Sequence, residues 1–353
     1  MKIKNALLLT LFTVFNVTGQ KTPETPVNII LMIGDGMGLS QITAGMYSNG
    51  NKTALEEFEY IGLSKTHSSE NLVTDSAASG TAFACGKKTM NGILGMDINK
   101  NKLSSILEIC KSRGYITGLI STSSIVHATP ASFYANVRSR YQYEDIALQL
   151  SENNIDYFIG GGEKHFKKRN DNRNLISEMK DYDMVNNLTK FSQSTSNKLG
   201  FFTYYDEPPS LNDGRKPMLD EALLATLDKF DQREKPFFIM VEGSQIDWGG
   251  HANEIDYITS EFKDFDGAIS VAVNYVNANP NTLLIVTADH ETGGLAITFG
   301  KTKAYTFKSD FNTGGHSATM VPVFSYGTCA KKFSGIYENT AIFDKMLETV
   351  ERK

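Results

Sequence analysis

Val27-Asn28-Ile29-Ile30-Leu31-Met32-Ile33 runs without a charge into Gly34-Asp35-Gly36. A short run rich in Ile, Val and Leu reads as a strand buried on both faces of a mostly parallel sheet. The same signal recurs along the chain. Tyr115 to Ile120 leads towards His127, Phe237 to Val241 leads to Glu242-Gly243, and Leu283 to Val286 leads to Asp289-His290. Between these runs, apolar residues at helical spacing mark Leu103 to Lys111, Tyr143 to Leu150, Leu219 to Phe230 and Ile255 to Val276. Strand alternating with helix predicts a three-layer α/β/α sandwich with a large, mostly parallel central sheet. Ligands of such sheets bind beyond the carboxyl ends of the strands, which is where the acidic clusters fall.

At 353 residues the chain is long for an ordinary domain, yet α/β proteins of this size often have one core. No internal repeat, low-complexity segment or Pro-rich linker divides it, so residues 20–353 are expected to form a single domain. Hydrophobic residues make up 41% and are spread too evenly for a membrane bundle. Residues 1–19 differ. Lys2 and Lys4 precede an apolar run from Ala6 to Val14, and Val17-Thr18-Gly19 then offers small residues before Gln20. This is the pattern of a secretory signal peptide cleaved near Gly19, and the run is too short for a membrane anchor. The expected product is periplasmic or secreted, without stable membrane insertion.

Cleavage removes two lysines and no acid, moving the formal net charge from -5 to -7. The acidic balance argues against a nucleic-acid partner. Lys164 to Arg173 is a basic exception, but only Phe166 interleaves it, so a solvated loop is expected. Cys85, Cys110 and Cys329 are too few for a disulfide framework and are expected to be unpaired and largely buried. Gly160-Gly161-Gly162 lacks the Lys-Ser or Lys-Thr of a phosphate loop and reads as a turn after the strand Tyr157-Phe158-Ile159. His67 and His165 lie in polar, loop-like contexts and are expected to be ordinary surface or packing residues.

The other four of the six histidines fall in short clusters with carboxylates, hydroxyls or glycines. They are His127 before Ala128-Thr129-Pro130, His251 after Asp247-Trp248-Gly249-Gly250, His290 after Asp289, and His316 after Gly314-Gly315. Imidazole with carboxylate suits zinc, whereas carboxylates and hydroxyls alone suit magnesium. Asp247 and His251, spaced i, i+4, share one side of a helical turn. Asp289 and His290 are adjacent and converge only if the chain turns sharply. Ser76 falls at or near the start of a helix running through Ala84, where free N–H groups favour an alkoxide or a phosphate oxygen. A serine there can also simply cap the helix.

Taken together, these segments carry a resemblance. Ile33-Gly34-Asp35-Gly36-Met37-Gly38, Val73-Thr74-Asp75-Ser76-Ala77-Ala78-Ser79, His127-Ala128-Thr129-Pro130, Val241-Glu242-Gly243-Ser244-Gln245-Ile246-Asp247, Thr287-Ala288-Asp289-His290-Glu291-Thr292-Gly293-Gly294 and Gly314-Gly315-His316-Ser317 resemble alkaline phosphatase. They keep the family's order, and the likeness is greatest to its short bacterial enzymes, cold-adapted ones included. The resemblance implies two zinc ions and one magnesium per active site. Asp247, His251 and His316 are similar to the ligands of the first zinc, and Asp35, Asp289 and His290 to those of the second, with Ser76 between them. Asp35, Thr129 and Glu242 match the magnesium site. Arg140 lies at the phosphate-clamping position, with Arg138 as the alternative. A planar guanidinium suits that task because it grips two oxygens at once.

Two positions near the substrate depart from the best-known bacterial pattern. His127 stands where that pattern has Asp, which puts magnesium selectivity in doubt. Trp248, the only Trp, stands where it has Lys and cannot supply a positive charge to phosphate.

The implied activity is hydrolysis of small phosphate monoesters to alcohol and inorganic phosphate, through a phosphoserine at Ser76 and at alkaline pH. Broad specificity is expected, since every recognised contact falls on the phosphate and the metals. A homodimer is among the family's expected assemblies. A sulfatase would need a Cys/Ser-x-Pro-x-Arg context, which Ser76 lacks. A diesterase often lacks the third metal site, whereas Thr129 and Glu242 are both present. An exported metal- or phosphate-binding protein would not need a hydroxyl at position 76.

Overall fold

Successive residues of β1 (Asn28–Gly34) feed two different cores, because side chains alternate across a strand. Ile29, Leu31 and Ile33 pack with the helices Ser76–Cys85, Ile106–Ser112, Tyr143–Glu152 and Thr340–Val350. Ile30 and Met32 pack with Leu39–Ser48, Leu219–Asp231 and Ile255–Ala278. Helices thus cover both faces of the sheet, giving the expected three layers. This computed structural model describes residues 26–352, so the expected signal peptide lies outside the described residues. No helix among the described residues is long and apolar enough to cross a membrane.

The remaining strands of the main sheet are β2 (Tyr60–Lys65), β3 (Ile116–Ser124), β4 (Tyr157–Gly161), β5 (Asp183–Val185), β6 (Leu199–Phe202), β7 (Phe237–Gly243) and β8 (Thr282–Thr287). After two small two-stranded sheets, β9 (Glu291–Thr292) with β12 (His316–Ser317) and β10 (Leu295–Lys301) with β11 (Thr306–Phe311), it is completed by β13 (Val321–Gly327) and β14 (Gly335–Glu338). The ten strands are ordered β14-β2-β13-β8-β1-β7-β3-β4-β6-β5. Only β13 runs antiparallel to its neighbours. Register aligns the ends that matter: Ile33 lies opposite both Glu242 and Thr287, and Ser121 lies opposite Glu242. The carboxyl ends of β8, β1, β7 and β3 therefore open at one level.

Strand β4 runs through Gly160 and Gly161, leaving only Gly162 of the expected turn beyond it. Two other boundaries differ from the sequence expectation by three or more residues. The helix expected from Leu103 begins at Ile106, because Ser105 and Glu108 form a capping box that fixes its start. Strand β3 continues past Ile120 to Ser124, carrying buried serines that an apolar-run criterion does not count. Cys85, Cys110 and Cys329 are unpaired, the first two buried and the third half-buried. The basic stretch is not all loop, since Lys164–Lys167 form a helical turn that buries Phe166, but Lys164, Lys167 and Arg173 are paired to Asp206, Glu163 and Glu178. Arg169, unlike these, is buried, reaching Asp171 and the carbonyls of Glu144 and His165.

Candidate functional site

Ser76 is the first residue of the helix Ser76–Cys85, but Asp75 caps it, accepting from Ala78 N at 3.0 Å. The simpler role for Ser76 is therefore taken by its neighbour. Its hydroxyl is free to face His290, with Oγ 3.4 Å from Nε2. The second Asp75 oxygen accepts from Gly92 N at 3.0 Å and from Arg140 Nη1 at 3.2 Å. One aspartate thus ties the helix start, the Gly92 turn and the arginine together. Arg138, by contrast, is exposed. Burial would lower the Arg140 pKa, but Asp75 outweighs it and keeps the guanidinium cationic.

Three groups of donor atoms surround this serine, each lying within 4.8 Å of its own members: Asp247 with His251 and His316, Asp35 with Asp247 and His290, and Asp35 with His127 and Glu242. In the first, the helix Gln245–Ala252 carries Asp247 and His251 one turn apart, with Nε2 3.3 Å from Asp247 Oδ2. His251 Nδ1 donates to Gly314 O and His316 Nδ1 donates to Thr74 O, each at 2.8 Å. Their Nε2 atoms, each also near an Asp247 oxygen, then face each other at 3.1 Å. Two lone pairs so placed repel unless a proton or a cation lies between them. The Asp247 contact pushes His251 up to about 9, while burial and His290 push His316 down to about 4.

The second group follows from the turn after β8. Asp289 Oδ1 accepts from Gly36 N at 3.1 Å and from His290 N at 2.9 Å, which folds the two adjacent side chains inwards. Gly36 permits the approach with φ +71, where a Cβ would come within 2.8 Å of Asp247 Cα. His290 Nε2 lies 3.1 Å from Asp289 Oδ2 and 3.5 Å from Asp35 Oδ1. Burial would lower the His290 pKa, but Asp289 raises it overall.

Asp35 belongs to both the second and third groups. It is fully buried, and neither of its oxygens has a hydrogen-bond partner. Burial and the charges of Asp289, Asp247 and Glu242 push its carboxyl well above the usual range. In the third group, Glu242 Oε2 accepts from Ser121 Oγ at 2.7 Å, while Glu242 Oε1 and Thr129 Oγ1 are buried without a partner. Burial raises Glu242 to about 7. Buried polar atoms are nearly always satisfied, so this concentration of orphaned oxygens fits hard cations in all-oxygen or mixed surroundings.

His127 is pushed down to about 3 by burial and by Arg140, so its ring is neutral. It meets Trp248 edge to face, with centroids 6.0 Å apart. All ten residues singled out for the metals, the nucleophile and the clamp thus converge here, with His127 among the third group and Trp248 against its ring. His67 and His165 lie elsewhere, His67 against Glu338 and His165 on the Tyr143 ring.

Sequence reading missed the residues that hold these groups. Ser121, Ser123 and Ser244 form a hydroxyl cluster with links of 2.7 to 3.0 Å beside Glu242. The available signal was the serine-rich end of β3, which has no spacing signature of its own.

The alkaline phosphatase family profile matches residues 27–309. Alkaline phosphatase 4 of Bacillus subtilis is 36% identical over 343 residues, spanning 92% of this chain and 74% of that protein. The alkaline phosphatase from the Antarctic bacterium TAB5 superposes with a TM-score of 0.89 at 42% identity, covering 94% of this chain and 100% of that one. A histidine-to-glutamate variant of the TAB5 enzyme, solved with magnesium bound, gives a TM-score of 0.88 at 39% identity over the same shares.

Proposed function

Since the chain belongs to the alkaline phosphatase family and is a phosphomonoesterase, we propose that it hydrolyses a broad range of phosphate monoesters through a phosphoserine at Ser76. The observation carrying this is Ser76 Oγ, unneeded as a cap, facing His290 at 3.4 Å beside buried carboxylate oxygens that lack a hydrogen-bond partner. Asp247, His251 and His316 would hold one zinc, and Asp35, Asp289 and His290 a second. Asp35, Thr129 and Glu242 would hold magnesium, a reading supported by their buried oxygens without hydrogen-bond partners. When bound, these cations supply positive charge that makes the Ser76 hydroxyl acidic and offsets charge on the entering and leaving oxygens.

The chain's own groups do the rest. Ser76 Oγ loses its proton and attacks phosphorus, its bond to phosphorus forming as the ester P–O bond breaks and the leaving oxygen takes up a proton to depart as the alcohol. Water then attacks the phosphoserine, the Ser76 O–P bond breaks, one water proton restores the Ser76 hydroxyl, and inorganic phosphate leaves. Arg140, held by Asp75 beside the helix start, grips two phosphate oxygens. The first N–H groups of that helix favour the same anion. Trp248 and His127 bring no positive charge, so they cover the site without holding the product. Export after cleavage near Gly19 belongs to the same reading and rests on the N-terminal sequence pattern.

The test is parallel hydrolysis of an aryl phosphate monoester, a phosphodiester and a sulfate ester, with and without zinc and magnesium. Metal-dependent turnover of the monoester far above the other two is expected. Preferential turnover of the diester or the sulfate would displace this reading.

A further inference from the structure

Thr292 lies two residues beyond His290, in β9, and pairing with β12 sets it opposite His316. Its hydroxyl sits 2.5 Å from Asp247 Oδ1 and 3.2 Å from His290 Nδ1. A carboxylate only accepts, so the hydroxyl donates to Asp247, and its lone pair is left to accept the N–H of His290 Nδ1. That direction turns His290 Nε2 towards Ser76 Oγ, Asp289 Oδ2 and Asp35 Oδ1, at 3.4, 3.1 and 3.5 Å.

The hydroxyl has little freedom to be anywhere else. Thr292 is fully buried, its N–H donates to Gly36 O at 3.2 Å, and its carbonyl accepts from Gln41 Nε2 at 2.6 Å. Two glycines make room for it. A Cβ at Gly36 would stand 2.7 Å from Thr292 Oγ1, and one at Gly250 would stand 2.9 Å from Thr292 Cβ. Hydrogen-bond partners of this kind orient metal ligands and set their tautomers.

We infer that Thr292 is the shared positioning residue of the two zinc clusters, orienting Asp247 of the first and His290 of the second through one hydroxyl. This rests on reading those clusters as cation sites. The two clusters then fill as a coupled pair, because a change at either ligand is felt by the same hydroxyl.

The test uses the full chain and measures zinc affinity by competition with a chromophoric chelator, with melting of the metal-free protein as the folding control. Thr292→Val keeps the shape and removes the hydroxyl; Thr292→Ser keeps the hydroxyl and removes the methyl. Thr292→Val should weaken zinc at both clusters by about 10- to 100-fold, with Thr292→Ser within about 3-fold of the parent. Magnesium affinity should stay near the parent value in both. If Thr292→Val unfolds, Thr292→Ser and Thr292→Ala give the same contrast, Ser binding zinc at least about 10-fold more tightly. Equal zinc affinity in the hydroxyl and hydroxyl-free variants overturns the inference, as does an equal fall in magnesium affinity. A parent chain that takes up no zinc instead overturns the cation reading beneath it.

Discussion

Two clusters of buried acids in this fold are finished in different ways. On the helix Ile255–Ala278, Glu261 and Asp264 meet the buried guanidinium of Arg215 at 2.6 and 2.8 Å. Their other bonds come from the backbone N–H groups of Leu211 and Leu219. At the ends of β1, β7 and β8, Asp35, Glu242 and Asp289 are equally buried, yet no Lys or Arg pairs with them among the ion pairs of the described residues. The nearby Arg140 is engaged by Asp75. Removing one partner from a buried pair costs several kcal/mol because it strands a charge. The first cluster carries its own cation and serves the fold. The second has no paired Lys or Arg among the described residues at the mouth of the sheet, where the proposed function places an external cation and a phosphate.

The comparison can be broken most severely at Ser76, to which the proposed function gives the open cluster's chemistry rather than its charge. Ser76→Ala should lower turnover by on the order of 10⁴-fold or more while zinc content, measured by atomic emission, stays at the parent level. Loss of zinc together with activity would make Ser76 a prop of the cluster.

Neutralising one acid in each cluster should then give opposite signs. Glu261→Gln should destabilise the metal-free protein by about 3 kcal/mol in denaturant melts. Asp35→Asn should stabilise it at alkaline pH by roughly 1 kcal/mol, while abolishing activity, as relief of a strained functional site does. Destabilisation by both would erase the distinction.

The same contrast has a pH signature. Glu242 is raised to about 7 by burial, so between its unfolded value near 4.5 and about 7 the folded state binds the extra proton. Stability contributed by this group is therefore present at low pH and lost as pH rises through 7. Melts of the metal-free parent should show this loss, and Glu242→Gln should lack it. An unchanged slope in the variant would reassign the titration.

The smallest effects concern the edge of the site. His127 is neutral and Trp248 uncharged, so neither adds to the open cluster's charge balance. His127→Asp should reduce the magnesium needed for half-activation by about 10-fold, because a carboxylate suits that hard ion. Trp248→Lys should tighten inhibition by inorganic phosphate several-fold, slowing product release. Unchanged activation or inhibition curves would remove these roles one at a time.

Much of this was legible because buried parallel strands leave unmistakable apolar runs, and Asp35, Glu242 and Asp289 each follow or end one. Ser76 needed the resemblance, since a serine at a helix start carries no distinguishing pattern until Asp75 is seen to hold the cap. The half-buried edge strands β5 and β14 gave no such run. The serines around Glu242 and the hydroxyl of Thr292 were hidden for another reason. Their partners lie far away in sequence, 121 residues for Ser121 and 45 for Thr292. Only the register of β3 against β7 and the turn after β8 bring them together.

The most direct measurement is the fate of the phosphoryl group itself. The metal-loaded protein is mixed with an aryl phosphate, quenched in acid during turnover, digested and mapped by mass spectrometry. A phosphate on the peptide containing Ser76, absent in Ser76→Ala, is the predicted result. Rapid hydrolysis with no covalent phosphate, or with phosphate on another residue, would contradict the account.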